Sequence, residues 1–224
     1  MSFFQQVKGR LIVSCQALPD EPLHSSFIMG RMARAAKEGG AAAIRAQSSA
    51  DINEIQQVTG LPVIGLVKRN YDDSPIYITP TITEVEDLLI TNCEMIALDM
   101  TNRPRPAGER TERLVEHIHQ AGRLVLADIS TLEEGMTAAR LGADAISTTL
   151  SGYTPYSPQL DGPDIELVRQ LSSQLSIPVF AEGRINVPED IKSVMAAGAY
   201  APIVGSAITR PQLITAKFAQ ALPG

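Results

Sequence analysis

The stretch Pro62-Val-Ile-Gly-Leu-Val-Lys68 is a short apolar run that ends abruptly on a charged residue. It lacks the alternation of polar and apolar residues that a half-exposed strand shows. A strand buried on both faces of a parallel sheet has this pattern. The lysine then emerges at the carboxyl end of the strand, where it can reach a ligand.

Seven other segments of the chain resemble this run. All are short, apolar and rich in β-branched residues or alanine, with little alternation. We predict strands at Leu11–Cys15, Ala42–Ala46, Pro62–Val67, Met95–Leu98, Leu124–Ala127, Ala145–Thr149, Pro178–Ala181 and Ala201–Val204.

Stretches with helix start and stop signals separate these strands. Thr83-x-x-Glu86 and Ser130-x-x-Glu133 have the spacing of capping boxes, and Pro211 stands where the first turn of a last helix should lie. Strands that alternate with helices form a parallel sheet. Because eight strands favour a closed barrel over an open sheet, we predict an α/β protein with a (β/α)8 TIM barrel fold, a single domain over residues 1–224.

The composition narrows the classes of function. The chain has a formal net charge of −6 and no run of five basic residues, so we expect no nucleic-acid partner. No apolar run approaches the ~20 residues of a membrane span, and Met1–Gly9 lacks the apolar stretch of a signal peptide. Cys15 and Cys93 lie far apart in the chain and fit a reducing compartment, so we expect a cytoplasmic protein.

Polar residues follow almost every predicted strand at its C-terminal end, where TIM barrels carry their active sites. Few of the N-terminal ends are charged, so the exposure of strand ends explains the pattern poorly. The residues concerned are Gln16, Arg45, Lys68, Asp99, Asp128, Thr149 and Glu182, with Tyr153 beyond the sixth strand. No Asp/His cluster among them has the spacing of a metal ligand set, so we expect no metal.

Glycines follow the seventh and eighth strands, and an arginine comes within a few residues of each. A small residue lets the backbone approach a ligand closely, and loops 7 and 8 of such barrels often bind phosphate. The arginines can add charge-assisted hydrogen bonds. We therefore predict a phosphate site formed by Gly183, Arg184, Gly205, Ser206 and Arg210.

Lys68 is the strongest candidate for a catalytic residue. Its side chain leaves a buried strand, so desolvation favours the neutral amine, which can act as a general base or as a Schiff-base nucleophile. Glu182 has the same position on the seventh strand, across the barrel, and the two side chains can address opposite faces of a planar intermediate. The alternative is a salt bridge from Lys68 to Asp99 or Glu182 that closes the barrel mouth.

A set of motifs runs through nearly the whole chain: Val13-Ser-Cys-Gln-Ala17, Ile44-Arg-Ala46, Pro62-Val-Ile-Gly-Leu-Val-Lys68, Tyr77-Ile-Thr-Pro80, Ala97-Leu-Asp99, Ala127-Asp-Ile-Ser-Thr131, Thr148-Thr-Leu-Ser-Gly-Tyr-Thr154, Ala181-Glu-Gly-Arg184 and Val204-Gly-Ser-Ala-Ile-Thr-Arg-Pro211. In this order they resemble the N-acylglucosamine-6-phosphate 2-epimerase (N-acetylmannosamine-6-phosphate 2-epimerase) family of bacterial sialic-acid catabolism. The segment Asn102-Arg-Pro-Arg-Pro106 has no assignment in this comparison.

The resemblance implies the interconversion of N-acetylmannosamine 6-phosphate and N-acetylglucosamine 6-phosphate by proton transfer at C2, with no cofactor. It implies that Lys68 is the acid/base, that Glu182 is its partner, and that Gln16, Arg45, Asp128 and Arg210 hold the phosphorylated N-acetylhexosamine. It also implies a homodimer. Two alternatives stay open: a phosphosugar aldolase with a Schiff base on Lys68, and a phosphosugar-binding regulator without turnover.

Overall fold

The structure, a computed structural model, describes residues 2–222. Eight parallel strands form a closed barrel in which each strand pairs with the next and the last pairs with the first. The strands are β1 (Ile12–Cys15), β2 (Ala43–Gln47), β3 (Val63–Leu66), β4 (Met95–Asp99), β5 (Leu124–Asp128), β6 (Ala145–Ser147), β7 (Val179–Glu182) and β8 (Ala201–Val204). The predicted (β/α)8 TIM barrel is confirmed, and each strand ends within two residues of its predicted bounds.

Helices connect the strands and add pieces at both ends of the chain. They are α1 (Phe3–Val7), α2 (Ser26–Glu38), α3 (Ser49–Thr59), α4 (Ile82–Leu89), α5 (Thr111–Gln120), α6 (Leu132–Arg140), α7 (Ile165–Gln174), α8 (Pro188–Ala196), α9 (Ser206–Thr209) and α10 (Pro211–Gln220). Pro211 opens the last of these, as predicted. Across residues 2–222, no helix combines the length and the apolar character needed to cross a bilayer.

Two helix starts differ from the sequence prediction. The capping boxes are Thr81–Glu84 before α4 and Thr131–Glu134 before α6, rather than Thr83–Glu86 and Ser130–Glu133. Glu84 and Glu134 are both fully buried, and both accept hydrogen bonds from further donors. At Glu84 these donors are Arg69 and Tyr71. Several Thr–Glu and Ser–Glu pairs have similar spacing here, and tertiary contacts decide which pair forms the box.

Successive side chains of each strand point alternately into the barrel and toward the helices. The inner cluster includes Ala43, Leu66, Ala97, Leu126 and Phe180, whereas their neighbours on the strands, such as Ile44 and Ile96, pack in the outer layer beneath the helices. One step further along the inner rows stand Arg45, Lys68, Asp99, Asp128 and Glu182. The alternation that builds the core therefore also directs charged side chains into the C-terminal mouth.

Aromatic rings cover the N-terminal end of the barrel. The ring of Phe4 lies 6.5 Å from that of Phe180 and 6.2 Å from that of Tyr200, distances typical of aromatic pairs. The hydroxyl of Tyr200 donates a hydrogen bond to the Phe4 carbonyl at 3.0 Å. Helix α1, which the sequence analysis did not predict, thereby covers the end of the barrel opposite the mouth.

Candidate active site

A cavity of about 760 Å³ opens at the C-terminal ends of the strands. Its volume suits a small-molecule ligand. Every predicted site residue except Asp128 lines it: Gln16, Arg45, Lys68, Tyr153, Glu182, Gly183, Arg184, Gly205, Ser206 and Arg210. Within the described part of the chain, no three His, Cys, Asp or Glu side chains come together as a metal site requires.

Arg45 forms the charged floor of this cavity. Its NH1 and NH2 groups donate to the two oxygens of Asp128 at 2.9 and 2.6 Å, and NH1 also donates to Glu182 Oε2. The side chain of Arg45 is 1% exposed and that of Asp128 is 0% exposed. Asp128, predicted to hold a substrate, thus lies behind Arg45, outside the cavity wall, and fixes the guanidinium in place.

Thr149, which follows β6, joins the same cluster. Its Oγ1 lies 2.6 Å from Asp128 Oδ1, 3.0 Å from Glu182 Oε2 and 3.1 Å from Arg45 NH1. Ser147 Oγ lies 2.7 Å from the same hydroxyl. The sequence placed Thr149 at a strand end but did not identify it as a contact of three charged groups.

Lys68 lies in the cavity wall without a carboxylate partner among residues 2–222. Its two candidate partners bind other groups, since Asp99 pairs with Arg103 at 2.6 Å and Glu182 pairs with Arg45. The expected alternative of a Lys68 salt bridge is therefore not formed. Burial lowers the pKa of Lys68 to about 8, and the charges of Arg45 and Arg210 act in the same direction. A sizeable fraction of neutral amine follows near physiological pH.

Glu182 is a partly buried carboxyl with 12% of its side chain exposed. Burial raises its pKa and the charge of Asp128 adds to this, whereas Arg45, Thr149 and Lys68 favour the ionised form. Its Oε2 holds the contacts to Arg45 and Thr149, and its Oε1 has no hydrogen-bond partner in the described chain. One oxygen is anchored in the floor while the other is left to a ligand.

The predicted phosphate residues all line the cavity, and they follow β7 and β8, which are paired in the sheet. Gly183 has a φ of 103° and Arg184 a φ of 53°, so the chain turns sharply after β7 in a backbone region that favours glycine. Arg210 is held by Glu21, with Nε 2.9 Å from Oε1 and NH2 3.0 Å from Oε2. This pairing fixes the direction of one cationic side chain at the mouth.

Arg184 lies beside Tyr153 at the rim. Its guanidinium carbon is 5.8 Å from the centre of the tyrosine ring, and its Nε donates to the Gly162 carbonyl at 2.9 Å. A Cβ at Gly152 would come within 1.7 Å of Arg184 NH1. The absence of a side chain at Gly152 therefore makes room for the arginine.

Gln16 has an acceptor that no protein group in residues 2–222 uses. Its Nε2 donates to Ser14 Oγ at 2.8 Å, while its buried Oε1 has no partner. An unpaired buried acceptor is costly, and a ligand N–H or O–H can satisfy it. The role of Gln16 in substrate binding stays a prediction.

Several residues of the cavity wall were not predicted from the sequence, including Ser14, Asn70 and Tyr77. Ser14 lies on β1, two residues before Gln16, so the period of two in a strand could have identified it. Asn70 and Tyr77 come from the long loop after β3, where no period applies.

Comparison with known proteins agrees with this geometry. Residues 29–223 match a family model described as "Putative N-acetylmannosamine-6-phosphate epimerase". Relatives named "Putative N-acetylmannosamine-6-phosphate 2-epimerase" include one from Clostridium perfringens, 65% identical over 96% of this chain and 98% of its own. Another, from Clostridioides difficile, is 61% identical over 97% of each chain.

A solved structure of the N-acetylmannosamine-6-phosphate 2-epimerase from Clostridium perfringens has a TM-score of 0.98 with 63% identity, and the match covers 99% of this chain and 97% of that one. The thiamine phosphate pyrophosphorylase of Pyrococcus furiosus has a TM-score of 0.64 with 21% identity over 93% of this chain and 90% of that one. At that identity the second match shows a shared barrel fold.

Proposed function

The chain belongs to the N-acetylmannosamine-6-phosphate epimerase family, and we propose that it interconverts N-acetylmannosamine 6-phosphate and N-acetylglucosamine 6-phosphate by proton transfer at C2. One observation carries the proposal beyond family membership: Lys68 lines the cavity without a carboxylate partner in residues 2–222, and its pKa is about 8. Such an amine is suited to remove a proton from carbon at neutral pH.

The chemistry defines what the site must supply. The two sugars differ only at C2, which bears the acetamido group, and the C2 proton becomes acidic when C1 is an open-chain aldehyde. Its removal gives an enolate whose charge lies largely on the C1 oxygen. The site therefore needs a base near C2, positive charge near the C1 oxygen and a fixed phosphate.

Lys68 takes the C2 proton in this proposal, and Arg45 stabilises the enolate. The guanidinium lies in the floor of the same cavity, held by Asp128 from behind, so its charge is fixed before the substrate binds. A fixed charge needs no reorganisation during the reaction, which is how such groups lower a barrier.

The phosphate end binds at loops 7 and 8. Gly183 and Gly205 bring the backbone close to the cavity, and Arg184, Ser206 and Arg210 supply side-chain donors. Remote binding energy of this kind positions the reacting carbon. Gln16 Oε1 then accepts a hydrogen bond from the sugar.

Inversion at C2 needs a proton on the opposite face. We infer that the enolate rotates between the two proton transfers, so that Lys68 serves both faces, while Glu182 acts through its charge. The Glu182 carboxylate raises the pKa of Lys68 against the effect of burial, and its Oε2 is anchored by Arg45 and Thr149. An anchored carboxylate is better suited to set the charge of its neighbour than to travel with a proton.

Proton NMR of N-acetylmannosamine 6-phosphate with the protein in heavy water tests the function. We expect N-acetylglucosamine 6-phosphate with deuterium at C2. Product that keeps its C2 proton would exclude the carbanion route. A covalent adduct on Lys68 after borohydride treatment would indicate the aldolase, and binding without turnover would indicate the regulator.

Two further properties belong to the proposal. Helix α10 buries none of its residues, and Leu213, Phe218 and Leu222 are 46%, 76% and 73% exposed. Such an apolar surface is suited to a second copy of the chain, so we propose a homodimer, which a light-scattering mass of one chain would refute.

Both cysteines are free thiols, in keeping with a cytoplasmic setting.

A further inference from the structure

We propose that Thr149 is a positioning residue for the reaction: its hydroxyl fixes Glu182 Oε2 against the Arg45–Asp128 ion pair and leaves Oε1 for the substrate side. The inference rests on the proposed function. It concerns a side chain that the sequence placed at a strand end and within a motif, but to which the sequence assigned no role of its own.

The hydroxyl of Thr149 has several possible hydrogen-bond partners. A threonine hydroxyl has one proton to donate and two lone pairs. Arg45 NH1, 3.1 Å away, has only protons to offer, so the oxygen accepts from it. The single proton of Thr149 then serves Asp128 at 2.6 Å or Glu182 at 3.0 Å, and Ser147 Oγ, 2.7 Å away, donates its own proton either to the remaining lone pair or to Glu182 Oε2. The Thr149 oxygen thus lies within hydrogen-bond distance of both carboxylates and donates its one proton to one of them at a time.

The two carboxylate oxygens of Glu182 differ in their hydrogen bonds. All of its side-chain hydrogen bonds within residues 2–222 fall on Oε2, from Arg45, Thr149 and, at 3.4 Å, Ser147. Without Thr149, this oxygen keeps the guanidinium but loses its closest hydroxyl contact. The carboxylate can then rotate about its terminal bond, because such torsions are soft.

Several charged groups surround the carboxyl of Glu182. The charged groups that face Glu182 are Arg45 from β2, Lys68 from the end of β3 and Asp128 from β5. Together the four groups are neutral while Lys68 is an ammonium, and they carry one negative charge when Lys68 is a free amine. Loss of the Thr149 donor removes stabilisation from ionised Glu182, and its pKa then rises further.

Thr148 provides a matched control. Its Oγ1 donates to the Glu182 carbonyl at 3.0 Å and accepts from the Glu182 N–H at 3.1 Å, with no contact to the carboxylate. Thr148→Val and Thr149→Val therefore remove the hydroxyls of two adjacent threonines by the same substitution. One variant disturbs the backbone of Glu182 and the other disturbs its side chain.

The experiment compares Thr149→Val, Thr149→Ser and Thr148→Val. Steady-state kinetics gives kcat and KM, and ¹³C NMR of labelled glutamate gives the titration of Glu182 without substrate, with Glu182→Gln used to assign the signal. For Thr149→Val we expect kcat to fall by about tenfold to a hundredfold with KM within about threefold, because placement and not binding is lost. Glu182 should titrate at higher pH, and Thr149→Ser should restore both values.

Thr148→Val should lower the Tm without moving the Glu182 titration. The proposal is overturned if Thr149→Val leaves the titration and kcat unchanged, or if Thr148→Val shifts the titration equally. Should Thr149→Val fail to fold, Thr149→Ala against Thr149→Ser makes the same comparison. A wild-type protein without epimerase activity would refute the proposed function, while the titration would still decide the role of Thr149.

Discussion

Arg45 and Asp128 form a bidentate ion pair across the floor of the barrel mouth, with NH1–Oδ1 and NH2–Oδ2 distances of 2.9 and 2.6 Å. The two residues come from β2 and β5, which are not neighbours in the sheet. A guanidinium fork matches a carboxylate in this geometry, so the pair has one favoured orientation. Glu182 and Thr149 are arranged around it.

Removal of Asp128 should destabilise the protein strongly. Asp128→Ala leaves the buried guanidinium with Glu182 alone, and loss of one partner from a buried pair costs about 3–5 kcal/mol. Urea unfolding measures the change. As a control, Glu38→Ala disrupts the exposed pair Arg34–Glu38 and should cost less than about 1 kcal/mol. Similar losses in the two variants would contradict the importance assigned to burial.

The rate should depend on pH through Lys68. Its pKa in the folded protein is about 8, below the ordinary 10.5, so the neutral base forms as pH rises through about 8. We therefore expect kcat/KM to increase with pH across this range and then to level off. Lys68→Arg should abolish turnover, because a guanidinium keeps its proton. A kcat/KM that is flat from pH 7 to 9 would mean that the neutral amine is not the base.

Gly152→Ala should displace Arg184. The new Cβ would lie within 1.7 Å of the present NH1 position, and a φ of 80° adds backbone strain. We expect a higher KM for the phosphorylated sugar together with a lower Tm. Gly122→Ala is the control, since its φ is 73° and no atom lies within 4 Å of the added Cβ. It should lower the Tm similarly and leave KM unchanged. An unchanged KM in Gly152→Ala would remove Arg184 from the phosphate site.

The phosphate group of the substrate should raise kcat/KM more in the wild type than in Arg210→Ala. A hydrogen bond to a charged group contributes about 1.5–3 kcal/mol. In Arg210→Ala we therefore expect the ratio of kcat/KM for the phosphorylated sugar to kcat/KM for the unphosphorylated sugar to fall by about tenfold to a hundredfold. Kinetics on both sugars measures this ratio. Arg140→Ala on α6, an exposed side chain bound to Thr137, should leave the ratio as it is. The assignment fails if the ratio is the same in Arg210→Ala and wild type.

Local patterns in the sequence predicted the barrel and the direction of its charged residues. The apolar runs indicated the strands, and a period of two places Lys68 and Glu182 on the inner rows because the residues two before them, Leu66 and Phe180, face the core. Helix α1 escaped prediction, because five residues are too few to show a helical period.

The sequence by itself therefore determined the fold, the mouth of the barrel as the site, and Lys68 as its base candidate. Only the tertiary structure decided which charges pair. Arg45 binds Asp128 and Glu182, which follow it by 83 and 137 residues, and this leaves Lys68 without a carboxylate partner in residues 2–222. Side-chain direction follows from strand geometry, which is local. Pairing depends on barrel closure and on which donor best fits a buried carboxylate, and these are properties of the assembled chain.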